Sequence, residues 1–176
     1  MTDLTERSWI FDTVAVTVER VDFLDPALAD QPDTRERGVR LELRPVRREA
    51  SGSVYSSPTL ALEPAVCRID LLESAPGKAD RMHWHPVMIN GEPDDRVFDE
   101  AMPADPIGWL SARLQQVDAL LERAGVPNPT RHTGASAAIA AHPDEIIEAA
   151  RSGLEWARQP WPTVARNARG MAVPAS

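Results

Sequence analysis

Val39-Arg40-Leu41-Glu42-Leu43-Arg44 alternates apolar and charged side chains without a break, the period of a pleated strand with one face buried and the other polar. Pro45 follows, and a residue with no backbone N–H is expected at a strand edge or a strand end. Upstream, residues 13–19 place valines at 14, 16 and 18, so a second strand shows its own apolar face. Between them, 25–38 carries Pro26, Pro32 and many charges and reads as a loop. Downstream, small polar residues over 50–57 form another loop, and 59–62 and 66–73 read as strands parted near Pro64. Ser74-Ala75-Pro76-Gly77-Lys78 has turn chemistry, and a strand pattern resumes over 81–89. About five short strands with short connections predict an antiparallel sheet in the N-terminal half.

The period then changes. Asp105 is placed to cap a helix with Pro106 in its first turn, and Ile107, Leu110, Leu114, Val117, Leu121 and Ala124 recur at steps of three and four before Gly125. A second helix is expected from Pro143, with Asp144 and Glu145 complementing its dipole and Ile146, Ile147, Ala150, Leu154 and Ala157 facing inward until Pro160. Strands first and helices second predict an α+β fold. At 176 residues the expected organisation is one domain, 1–176, with two main helices packed on the sheet. The loop 25–38 and the tail 165–176 are its candidate mobile parts.

Charge and composition narrow the function. With 27 acidic against 19 basic residues and a net charge of −8, the chain repels nucleic acid at long range. Arg44, Arg47 and Arg48, the densest basic run, read as a solvated strand edge. No apolar run long enough to span a membrane is present, and no secretory pattern opens the sequence, so a cytoplasmic location without a membrane partner is expected. Cys67, the one cysteine, lies among apolar residues and reads as a buried thiol without a catalytic role. Five tryptophans, at 9, 84, 109, 156 and 161, are expected to fill the core. No phosphate-cradling glycine loop, nucleophile elbow or paired-cysteine site occurs.

One constellation carries chemistry. His83 and His85 are two residues apart on an expected strand, so both imidazoles leave the same face from Cα atoms roughly 6.5 Å apart, close enough to converge on one metal ion. The acidic stretch Glu92, Asp94, Asp95 and Asp99 follows directly, and Glu92 and Asp99 are the candidates for a carboxylate ligand. His132 and His142 are more distant alternatives. Two imidazoles and a carboxylate suit Zn(II), which activates water, or Fe(II), which activates oxygen. Met82, Trp84 and Met88 lie on the other face as the larger apolar set; the competing reading is that the core takes them and leaves the histidines facing solvent or a cleft. Arg96 is a candidate catalytic residue that would hold a substrate carboxylate, with a surface ion pair to a neighbouring aspartate as the alternative.

Gly77, five residues, His83, one residue and His85 together resemble the opening of the first cupin motif, whose histidines and following glutamate bind metal inside a β-barrel. Glu92 comes later than that motif places its glutamate, and the chain after Met102 turns helical where a cupin continues with strands. What the resemblance implies is a metal-binding strand. The expected function is a metal-dependent enzyme acting on a small molecule: a hydrolase or lyase with Zn, an oxygenase with Fe. The alternative is a non-catalytic small-molecule-binding or protein-interaction domain, with a homodimer among its forms.

Overall fold

A computed structural model describes residues 6–24, 35–163, 165–166, 168–169 and 172–173. Its centre is a sheet of six strands: β1 (Glu6–Phe11), β2 (Val14–Leu24), β3 (Arg35–Glu49), β4 (Thr59–Leu62), β5 (Cys67–Glu73) and β6 (His83–His85). Their order is β1-β2-β3-β5-β6, with β4 also paired to β3, and every pairing is antiparallel. The alternation of 39–44 thus runs within β3, in the middle of the sheet, and Arg35 to Gly38, expected in a loop, already belong to the strand. The rest of that loop, 25–34, lies outside the described residues. β1 is an addition to the expected strands, folded back on β2 through a turn in which Asp12 takes a positive φ of 56°.

Pro45 neither ends β3 nor confines it to an edge. On one side it stays opposite Val14 of β2. On the other, β3 changes partners around it: the last pair with β5 is Leu43 with Cys67, and the first with β4 is Val46 with Leu62. A missing N–H is tolerated in that gap because no ladder bond is due there.

Period two sorts the sheet into two faces. Val18, Leu41, Ile69 and Trp84 stand side by side across β2, β3, β5 and β6, with Val16, Leu43 and Cys67 beside them, all buried. The helices cover this apolar face: α1 (Ala101–Ala104), α2 (Pro106–Leu114), α3 (Val117–Arg123), α4 (Thr133–Ala141) and α5 (Asp144–Ala157). Asp105 caps α2 as expected, its carboxylate accepting from the Gly108 amide at 2.9 Å. The long helix expected through Ala124 is broken at Gln115 and Gln116, where Gln116 leaves helical backbone at φ −130°, ψ 34°. Leu110, Leu114, Val117 and Leu121 are nonetheless all buried, so the apolar stripe runs on across the break. α5 packs on β2 and β3; a Cβ added at Gly153 would come within 2.3 Å of the Val39 side chain, so glycine permits this close crossing. In the C-terminal tail, Ala165–Arg166 (β9) pairs antiparallel with Ala172–Val173 (β10). Among the described residues no helix is long and apolar enough to cross a membrane.

Candidate metal centre

The second face of the sheet is polar, and its side chains fall into two rows. One runs Glu19, Arg40, Asp70, His83 across β2, β3, β5 and β6; the next runs Thr17, Glu42, Arg68, His85. The β5–β6 register sets Asp70 directly opposite His83, and cross-strand neighbours on one face are within side-chain reach. Asp70, His83 and His85 are buried, at 2%, 4% and 5% exposure, and their ligand atoms all lie within 4.8 Å of one another.

What covers the histidines comes from the chain just beyond them. Met88–Ile89 (β7) and Glu92–Pro93 (β8) form a hairpin whose turn residues Asn90 and Gly91 both take positive φ, 53° and 80°, as a tight hairpin turn requires. This reversal brings 94–98 back along β6, where Val97 and Trp84 exchange both backbone hydrogen bonds, at 2.8 and 3.0 Å. The carbonyls of Asp94 and Asp95 then reach His85 Nδ1 at 3.3 and 3.2 Å, and the Phe98 ring sits over His83, centroids 5.9 Å apart.

These carbonyls decide the tautomers. A carbonyl only accepts, so His85 Nδ1 carries the proton and donates it to the carbonyls of Asp94 and Asp95; likewise His83 Nδ1 donates to the Arg81 carbonyl at 2.8 Å. In its neutral form each ring then turns the lone pair of Nε2 inward. His83 Nε2 lies 3.4 Å and His85 Nε2 3.9 Å from the same oxygen, Asp70 Oδ2, while Asp70 Oδ1 accepts from Arg40 Nε at 2.8 Å. The rings stand nearly perpendicular, at 88° with centroids 5.0 Å apart. Metal–ligand bonds of about 2.0–2.2 Å put neighbouring ligands ~3–3.5 Å apart, so the Asp70–His83 separation fits as it stands and the Asp70–His85 separation needs a contraction of a few tenths of an ångström. The group is one that could hold a metal ion. Its outer partners, backbone carbonyls behind both imidazoles and an arginine behind the carboxylate, orient the ligands as such partners do in metal sites.

Comparison with protein-family models, curated proteins and solved structures finds no match for the chain.

The carboxylate beside the histidines is not one of those expected from the sequence. Glu92 is exposed in β8. Asp99 is turned to the helical side, where it accepts from Trp109 Nε1 at 2.8 Å and from the Ala101 amide at 3.0 Å. Asp70 comes instead from the preceding strand; its signal was the alternation of Arg68 and Asp70 with apolar residues along β5. Arg96 is exposed, beside the Val97 that pairs with Trp84. His132 is buried outside this group, its Nδ1 2.9 Å from Thr13 Oγ1, and His142 follows α4 as its C-cap. Met82, Trp84 and Met88 are buried as the competing reading requires, but the histidines on the other face are buried too. Cys67 is a core thiol, pushed by burial up to about 12.

Burial, then the neighbouring His83, push the His85 pKa below its ordinary 6.5 against the pull of Asp70 and the carbonyls. Burial, with Arg131, lowers His132 likewise. Burial alone would raise Asp70, but the His83 ring beside Oδ2 and the Arg40 guanidinium at Oδ1 together outweigh it and hold this carboxyl below the ordinary 3.8. A histidine with a depressed folded pKa is protonated first in the unfolded chain, so its penalty to the fold sets in as pH falls below 6.5. The metal-free protein is expected to lose stability between pH 7.5 and 5.5, with a slope of up to about 1.4 kcal/mol per pH unit for each such histidine. Urea unfolding at the two pH values checks this, and a midpoint that stays flat or rises on acidification contradicts it.

Proposed function

We propose that this protein is a metal-dependent enzyme acting on a small molecule, with Asp70, His83 and His85 as the ligands of one divalent transition metal. One observation carries the reading: two Nε2 atoms, each with a lone pair to offer in the neutral ring, and a carboxylate oxygen face one another in a buried place. Such a group calls for a cation between its members. Protonation of His85 is disfavoured by burial and by His83, and a metal ion is the cation we assign to this place.

Two imidazoles and one carboxylate occupy one side of a metal and leave positions for water or substrate. With Zn(II) the bound water would ionise near pH 7, supporting hydrolysis or a lyase reaction; with Fe(II) the open positions would support oxygen chemistry. In either case Arg40 fixes the Asp70 carboxylate, the carbonyls of Arg81, Asp94 and Asp95 fix the two rings, and Phe98, 66% exposed, offers an apolar wall. Arg96, exposed in the covering segment, is assigned the first contact with a substrate carboxylate.

Elemental analysis of protein purified without a histidine tag tests the proposal. About one equivalent of zinc or iron per chain is expected, either carried through purification or taken up afterwards. A protein that carries no transition metal and binds none of zinc, iron, manganese, copper or nickel would sink it.

A further inference from the structure

The polar face around the site is electrically balanced before any metal enters. Arg40 lies between Asp70 Oδ1, at 2.8 Å, and Glu19 Oε1, at 3.5 Å. Glu42, itself buried, takes Arg68 Nε on Oε1 at 2.7 Å and Arg44 Nη2 on Oε2. The acids Glu19, Glu42 and Asp70 are thus matched one for one by Arg40, Arg44 and Arg68, and Glu6, opposite Glu19 at the start of β1, is exposed, where water screens it. The carboxylates nearest in the covering segment, those of Asp94 and Asp95, belong to exposed residues, where water screens them. A divalent ion among Asp70, His83 and His85 therefore brings two positive charges that this face does not cancel, in a place where uncompensated charge is costly. The open positions are best filled by an anion.

Arg68 is built to take the other end of that anion. It lies directly opposite His85 in register and two residues from Asp70 on the same face of β5. Glu42 holds the guanidinium through Nε, so the plane is fixed while, among the described residues, the terminal nitrogens remain as a fork. Its side chain is 17% exposed, open enough to be reached and dry enough for charge-assisted hydrogen bonds to count. Arg44 shares Glu42 but sits one row further from the histidines, opposite Ala15.

Resting on the metal-enzyme reading above, we infer that the substrate is a small oxyanion, its carboxylate or phosphate bridging the metal and the Arg68 guanidinium. Cobalt(II) reports both halves of this inference, because its visible spectrum changes with its ligands. The cobalt-loaded protein is titrated at pH 7 with malonate and, separately, with inorganic phosphate. Saturable spectral change with at least one of them is expected, and which one acts identifies the oxyanion. Arg68→Gln should weaken that anion by about tenfold or more with cobalt affinity unchanged, and Arg44→Gln should leave both unchanged. Arg68→Lys, which keeps the charge and loses the fork, should weaken the anion as well and serves if the glutamine variant does not fold. The inference is overturned if neither anion alters the spectrum, as when hydroxide supplies the compensation, or if Arg68→Gln and Arg44→Gln weaken it equally. Failure of wild-type protein to bind cobalt or any other transition metal would instead bring down the metal reading, and this inference with it.

Discussion

Asp70→Asn, His83→Ala and His85→Ala are each expected to lower the affinity for Zn(II) by more than about 100-fold. Loss of an outer partner of a metal ligand typically costs 10–100-fold, and loss of a ligand should exceed that. The three residues do not carry the core: they lie on the polar face, opposite the buried set formed by Val18, Leu41, Ile69 and Trp84. Far-ultraviolet circular dichroism should accordingly be preserved while competition against a chromophoric chelator shows the loss. Arg40→Gln should fall between these variants and wild type, at roughly 10–100-fold, because it frees the Asp70 carboxylate to rotate without removing a ligand. Variants at Asp70, His83 and His85 that bind zinc as tightly as wild type would place the metal elsewhere or nowhere.

Trp84→Ala is expected to do the opposite, costing about 3–5 kcal/mol of stability and leaving the metal ligands in place. Trp84 lies between the two histidines in sequence but on the other side of β6, 4% exposed. Its ring meets Trp109 edge-on at 5.7 Å, and the guanidinium groups of Arg113 and Arg123 lie 5.6 and 4.8 Å from its centre. Removing it opens a cavity under α2 and α3 that the surrounding backbone cannot close. Its amide and carbonyl bonds to Val97 do not involve the side chain, so β6 keeps its cover. Urea unfolding of the metal-free variant measures the loss, and a cost below about 1 kcal/mol would mean that this side of β6 is not packed as described.

Much of the fold was legible in the sequence because it is written in local periods. Val39, Leu41 and Leu43 alternate with charges on any pleated strand, and Leu110, Leu114, Val117 and Leu121 recur at helical spacing whatever they pack against. The placing of His83 and His85 on one face is a property of the same kind. Partner choice is not local. Asp70 precedes His83 by more than a strand and a turn, and only the antiparallel register of β5 on β6 makes them neighbours; one residue of slip would have put Asp70 on the apolar face. Glu92 was nearer in sequence and Asp99 about as near, yet the Asn90-Gly91 turn returns the chain with backbone carbonyls toward His85 and sends Asp99 to Trp109. The break at Gln115 and Gln116 was hidden for a related reason, since an apolar stripe records which residues face the core and not whether the backbone between them is continuous. Periodicity alone thus determined the faces and the histidine pair. Tertiary structure decided which carboxylate joins them, because a side chain's neighbours across a sheet are set by strand register, which is fixed by the whole buried face at once.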